Sequence, residues 1–429
     1  MDAMTKEQAA QAAANKFLAL MSGNLAAYLE SCVKCGNCAT ACHFYEVTGD
    51  PKYTPAYKLF PMARAHRRSK WPWNWFGGPK VTEAELQEWE ELLFDSCTMC
   101  GRCTQACPMG IDISSIVAAS RQAFAAAGRG PEDLFAAAEN VLDKGSPLGV
   151  TPAVFDGRVE WLEDDYEVDL RLDRPKAEVL LTVSSIELMK YPKSIVAMAR
   201  LLNQAGVDWT FSTKGYESTN FGFLAGKMDI ARHAIEKLVS TAEEVGAKLL
   251  VIPECGHAYG VLRWAGSNII GRPLPFTVMH ITEYLAQLKK EGRIQFKPIE
   301  KSVTYHDPCQ ISRRGGATAA ARYLLEDATD FREMTPTGNF NWWCGGGGGV
   351  QAMSRAADLR HKVVQIKMKQ VEDTGADMLL SACANCRLTM DDSKAYWNWD
   401  RELESLVELL AEHLVEDEPH PFDAKPHLA

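Results

Sequence analysis

The chain has 429 residues, 46% hydrophobic and 24% charged, a globular composition with room for two or three domains. A formal net charge of −10 argues against nucleic acid as a partner, and no stretch reaches the roughly 18 apolar residues of a membrane span. The start, MDAMTKEQAAQAAANKF, has no secretory pattern, so the thirteen cysteines point to a reducing cytoplasm and thiols held as metal ligands rather than to disulfides.

Residues 1–30 read as one amphipathic helix that leads into Cys32, Cys35, Cys38 and Cys42, a C-x2-C-x2-C-x3-C run. An insertion of 54 residues (43–96) follows. It holds a basic stretch (Arg64, Arg67, Arg68, Lys70), the aromatic WPWNWFGG at 71–78 and an acidic helical segment, 82–94. Cys97, Cys100, Cys103 and Cys107 then repeat the spacing, with Pro108 behind the last cysteine. Three thiolates so spaced wrap one corner of a 4Fe–4S cube while the fourth reaches the other cube. The expected ligand sets are therefore Cys32, Cys35, Cys38 with Cys107, and Cys97, Cys100, Cys103 with Cys42. Two zinc sites are the competing reading of the C-x2-C pairs, but the doubled four-cysteine run is the ferredoxin pattern. The basic and aromatic segment 64–76 suits either docking on a membrane subunit or anionic surface, or shielding of the clusters.

An Ala-rich helical region, 111–143, closes a helical ferredoxin-like domain at 1–150, and the acidic stretch 151–175 reads as a linker. From 176 to 412, apolar runs of strand length alternate with helical periodicity. Strands are expected at 177–183, 207–211, 248–252, 302–306 and 377–382. Helices are expected near 186–205, 226–245, 277–291, 316–326 and 351–373. This pattern is an α/β domain with parallel sheets, so the whole is a multi-domain α+β chain. GAKLLVIPECGHA and GADMLLSACANC align as an internal repeat, 176–291 and 301–412, with Cys255 on Cys383 and Ala258 on Cys386. The tail, 413–429, with Pro419, Pro421 and Pro426, reads as irregular.

The other cysteines of the second half, Cys309, Cys344, Cys383 and Cys386, sit in HDPCQ, WWCGGGGGV and ACANC, at strand ends or in loops where such sheets gather functional groups. Gly345, Gly346 and Gly347, opening a run of five, leave backbone free to approach an inorganic cluster or an anion. A phosphate loop would need a Lys-Ser/Thr that is absent. In this combination, C-x33-W-C-x38-C-x2-C behind a two-cluster ferredoxin domain, the chain resembles heterodisulfide reductase-like CCG-domain iron–sulfur proteins of the HdrD, DsrK and TmcB type.

That resemblance implies a third 4Fe–4S centre on Cys309, Cys344, Cys383 and Cys386, cubane or noncubane, where disulfides are cleaved. The chain departs from the pattern at Trp343, which stands where the family has the first cysteine of its pair. In the first repeat, Ser184-Ser185, Ser218-Thr219-Asn220 and Ala258 occupy cysteine positions, leaving Cys255 as ligand, redox thiol or relic. His257 and His306 are candidate proton donors, or else turn and supporting residues. Arg313 and Arg314 either receive a carboxylate or are solvated. The implied partners are other subunits of a redox complex, a cytochrome b-type membrane protein or a flavoprotein. The implied substrate is a low-molecular-weight disulfide or a small protein with C-terminal cysteines. A pure electron relay, as in glycolate or lactate oxidation complexes, is the alternative.

Overall fold

The computed structural model describes residues 5–76 and 81–415, so 416–429 of the expected irregular tail lie outside it. Two compact units form. One contains Met1–Glu139, Phe221–Ala231 and Trp342–Lys367; the other contains Asn140–Asn220, Arg232–Asn341 and Met368–Ala429. The division is interleaved: segments 221–231 and 342–367, which lie between sheet-forming stretches in sequence, pack with the cysteine-run unit.

The first unit is helical. Helix Lys6–Ala19 buries Ala9, Ala10, Ala13, Ala14 and Phe17, a stripe at helical spacing, and packs on helix Ile113–Ala126, where Phe17 meets Phe124 edge-on at 6.3 Å. The single helix expected over 1–30 is two, because Ser22 caps a second helix, Gly23–Ser31, by accepting from the Leu25 N–H.

The second unit holds two four-stranded parallel sheets. The first consists of β1 (Val179–Leu181), β2 (Trp209–Thr210), β3 (Leu249–Ile252) and β4 (Thr277–His280), in the order β2-β1-β3-β4. The second consists of β5 (Ile299–His306), β6 (Thr329–Phe331), β7 (Met378–Ser381) and β8 (Glu402–Ser405), in the order β6-β5-β7-β8. The identical orders are what an internal duplication produces. Val179 pairs with Leu249 in one sheet as Val303 pairs with Met378 in the other. The shared Gly-Ala lead-in has a local cause. Gly246 (φ 72°) and Gly375 (φ 61°) follow helices ending at Val245 and Thr374, in the left-handed conformation glycine tolerates there. One apolar core, including Leu181, Val251, Val303 and Leu380, runs through the unit.

Four elements differ from expectation. Residues 151–175, read as a linker, hold helix Pro152–Tyr166, which Thr151 caps and which buries Phe155, Val159 and Leu162 on one face. The helix expected over 277–291 begins as β4, with His280 then capping helix Ile281–Lys290. β6 and β8 are half-exposed edge strands, so they lack the apolar runs that mark buried ones.

Candidate iron–sulfur centres

The two cysteine runs share one backbone. Lys34 (φ 58°) and Gly36 (φ 84°) are left-handed in the first run, and Met99 (φ 51°) and Gly101 (φ 74°) in the second, at matching positions between the first and third cysteines. These reversals coil each loop tightly, as convergence of alternate thiols requires. Cys42, from the first run, lines one cavity with Cys97, Cys100 and Cys103 of the second. Cys38 lies within electrostatic reach of Cys32 and Cys107, and Cys35 is exposed. The structure thus brings together the crossed set around Cys42, and Cys32, Cys38 and Cys107 of the other.

The Cys42 cavity has an almost wholly apolar wall. Burial pushes the Cys42 thiol up to about 11, and Cys103 well above the ordinary thiol range, with neighbouring cysteines adding like-charge repulsion. Four convergent thiols in such surroundings fit a cationic core that stabilises their thiolate forms. Lys58, 2% exposed, lines the same cavity; its ammonium donates to Leu92 O at 3.0 Å, Ser96 O at 2.7 Å and Ser96 Oγ at 2.9 Å. A fixed positive charge beside a cluster pocket favours the anionic cluster, a role that spacing and composition do not signal.

Trp343 lines this cavity too. Its ring lies 3.8 Å from that of His43, which also stacks on Trp342 at 4.6 Å; the Arg102 guanidinium covers Trp342 at 3.4 Å. Arg121, the one charged residue in ISSIVAASRQAFAA, is fully buried. Its guanidinium donates to the carbonyls of Leu93 (3.0 Å), Cys97 (2.9 Å), Leu224 (2.9 Å) and Gly348 (2.6 Å).

The glycine run is shaped by protein neighbours. A Cβ on Gly345 would meet Val363 at 2.7 Å, one on Gly348 the Cys97 carbonyl oxygen at 2.8 Å, and one on Gly349 Leu134 at 2.9 Å. Gly345 therefore has a packing reason for lacking a side chain. Gly346 and Gly347 open a 3-10 turn, and the Gly346 carbonyl accepts from the Gln351 N–H. Arg313 donates to the carbonyls of Asn339 and Asn341, so its fork braces that segment.

In the second unit, Cys309 is buried in the turn after β5, which His306 ends. Asp307 in this turn pairs bidentately with Arg322 at 2.9 and 2.8 Å and accepts from the Gly338 N–H. Cys383 stands at the N-cap position of helix Ala384–Trp397, whose first turn carries Cys386. Cys255 sits at the matching cap of helix Gly256–Gly260, again with extended backbone, so the alignment of Cys255 with Cys383 has a structural counterpart. The two thiols interact: burial first, then Cys383, drives the Cys255 thiol far above its ordinary range, and its sulfur lies 3.7 Å from Thr219 Oγ1. The half-buried His257 ring contacts Asn220 O at 2.9 Å. Cys344 is buried within the first unit.

Where the second repeat has cysteines, the first has hydroxyls bonded to buried carboxyls. Glu187 accepts from Ser184 N (2.9 Å), Ser184 Oγ (2.7 Å) and Glu254 N (3.1 Å). Glu217 accepts from Ser185 N and Thr219 N. Burial pushes Glu187 up to about 7 and Glu254 up to about 8. Nothing in the cysteine pattern pointed to these acids; their signal was the serine pair itself.

The aromatic segment faces outward. Trp71, Trp73, Trp75 and Phe76 are 78, 63, 82 and 80% exposed, and Trp73 lines a groove beside Cys32; Gly77 and Gly78 lie outside the described residues. Among the described residues no helix is long and apolar enough to cross a membrane.

Comparison with known proteins agrees with this layout. Residues 28–111 match the 4Fe-4S dicluster domain family, and 303–391 match the Cysteine-rich domain (CCG) family. The HdrD protein of the dihydromethanophenazine:CoB–CoM heterodisulfide reductase of Methanosarcina mazei is 30% identical over 403 residues, covering 90% of this chain and 94% of that protein. The chain belongs to the HdrD family of heterodisulfide reductase proteins. The Hdr-like menaquinol oxidoreductase iron-sulfur subunit of Archaeoglobus profundus is 26% identical, covering 90% of this chain and 80% of its own. A hypothetical protein from Helicobacter pylori shares the fold, at 10% identity and a TM-score of 0.53 over 95% of this chain and 76% of that one. As a family member, the chain is an iron–sulfur oxidoreductase subunit, with two 4Fe–4S clusters in its dicluster domain and a further cluster in its cysteine-rich domain.

Proposed function

We propose that this subunit carries electrons singly through its two cubanes to a third centre on Cys309, Cys344, Cys383 and Cys386, where a disulfide and two thiols interconvert. The observation that carries the proposal is the cysteine-rich match over 303–391, which encloses all four cysteines behind a dicluster domain. The cubane ligands are the crossed sets, Cys32, Cys35, Cys38 with Cys107 and Cys97, Cys100, Cys103 with Cys42. The bound clusters supply the electrons: a disulfide takes two, with two protons, to become two thiols.

The protein's own part is positioning and proton supply. His306 and His257 are the proton carriers of the reading, and Cys255, buried beside Cys383, is a further ligand or a redox-active thiol. Gly346 and Gly347 offer backbone to the cluster or an anionic substrate. The substrate is a low-molecular-weight disulfide or a small protein ending in cysteines. The partners are further subunits of a complex, a membrane cytochrome b-type protein or a flavoprotein, which place the chain at the cytoplasmic membrane face. The exposed Trp71, Trp73 and Trp75 are the surface such a partner would cover.

A second reading, a pure electron relay, draws support from Trp343 standing where the family has a cysteine. Anaerobic iron analysis with low-temperature EPR, before and after oxidation with added thiol, separates the two. About twelve irons and a thiol-dependent paramagnetic species that Cys344→Ser abolishes support conversion. Three clusters silent to thiol in every oxidation state leave the relay.

A further inference from the structure

We infer that the cubane of Cys42, Cys97, Cys100 and Cys103 is the one that exchanges electrons with the centre served by Cys344, and that Trp343 is the positioning residue for that exchange. The inference rests on Cys344 being a cluster ligand, as proposed above.

Trp343 is one peptide bond from Cys344, and its ring forms part of the wall of the Cys42 cavity. His43, the residue after Cys42, lies against that ring at 3.8 Å. Three further ties hold the Cys344 loop to the same cavity. Arg121 joins the Cys97 carbonyl to the Gly348 carbonyl, Gly348 presses on Cys97 and Thr98, and Arg355 pairs with Asp95 at 2.8 Å and Glu90 at 2.9 Å. The groove beside Cys32 of the other set is lined by residues 29–89, including Lys34, Phe60, Arg67 and Trp73, with none from 342–367. A packed, largely covalent path therefore leads from the Cys42 cavity to Cys344. The departure from the family pattern acquires a purpose, because the side chain lost as a thiol is replaced by a ring that seats the loop against the donor.

The step is a one-electron exchange. The reduced cubane loses one electron and returns to its oxidised level, and the Cys344 centre gains it. The indole stays closed-shell, and no bond is made or broken.

The test uses anaerobic full-length protein: wild type, Trp343→Phe and Trp343→Ala. Each is mixed with excess dithionite, frozen at intervals and read by EPR, with iron content and cubane midpoint potentials measured alongside. In Trp343→Ala the cubanes should reduce at the wild-type rate while the third centre lags by roughly tenfold or more, as loosened positioning does, and Trp343→Phe should recover most of the loss. Only one cubane potential should move, that of the cubane missing in Cys42→Ser, because opening its wall admits water. An unmoved rate at full iron content, or a potential change on the cubane missing in Cys107→Ser, overturns the inference alone. Wild-type iron near eight with no third signal removes the Cys344 centre, and so overturns the parent reading together with this one. If the alanine variant loses iron, Trp343→Phe and Trp343→Leu carry the same comparison at full occupancy.

Discussion

Gly348 rests on the backbone of Cys97. A Cβ at Gly348 would stand 2.8 Å from the Cys97 carbonyl oxygen, and the Arg121 guanidinium binds both carbonyls, at 2.6 and 2.9 Å. The glycine also adopts φ 65°, where L side chains are strained. Gly348→Ala should therefore destabilise the first unit by about 1–3 kcal/mol and lower the iron content, whereas Gly23→Ala, at a position with open space, should not. Thermal melts with iron analysis distinguish the two.

The crossing of ligands between the runs predicts a reciprocal pattern. Cys42→Ser should remove the cluster of the second run and Cys107→Ser that of the first, each leaving one cubane spectrum. If Cys42→Ser instead deleted the cluster of its own run, the crossed sets would be wrong. Potentiometric EPR on each variant reads this directly.

Lys58 is a buried cation beside the Cys42 cavity with three oxygen acceptors. Lys58→Met should shift that cubane's midpoint potential downward, because a nearby positive charge favours the added electron. It should also cost about 2–3 kcal/mol through the oxygens left unsatisfied. A potential unchanged in the folded variant would show the ammonium to be structural only.

Glu187 is held up to about 7 by burial, above the ordinary carboxylate range near 4.5. The folded chain therefore binds a proton there that the unfolded chain releases. This contribution to stability is complete below about pH 4.5 and fades as pH rises through about 7. Glu187→Gln, which keeps the shape without the titration, should flatten the fall in stability over that window. Melting temperature against pH for the two proteins checks the sign.

The exposed rings of Trp71, Trp73 and Trp75 contribute little to the fold, so replacing all three with Ser should move stability by no more than about 0.5 kcal/mol per site. Loss of co-purification with partner subunits or membranes at unchanged iron content would assign the surface to docking. Retention of both would leave it without that role.

Spacing alone carried the dicluster domain, because thiolates must stand at fixed intervals along a chain to wrap one cluster, and intervals survive without a structure. The sheets were legible for a similar reason: β1, β3 and β7 are buried, largely apolar runs, β5 is buried from Ser302 to His306, and the repeat showed in Gly246-Ala247 and Gly375-Ala376, which lie between one helix and the next strand. β6 and β8 were not legible, since edge strands carry mixed polarity.

Tertiary structure alone decided which atoms the special residues meet. In sequence, Gly345 and Gly348 are members of one featureless run; in space, the first faces Val363 and the second the Cys97 carbonyl. Trp343 reads as a missing ligand and proves to be the wall of a neighbouring cavity. Arg121 and Lys58 look like charges on a helix and a turn until their carbonyl acceptors appear from segments far along the chain. A ligand set written in local spacing is fixed by the sequence, while the role of a buried cation, ring or glycine depends on distant neighbours that only folding brings within a few ångströms.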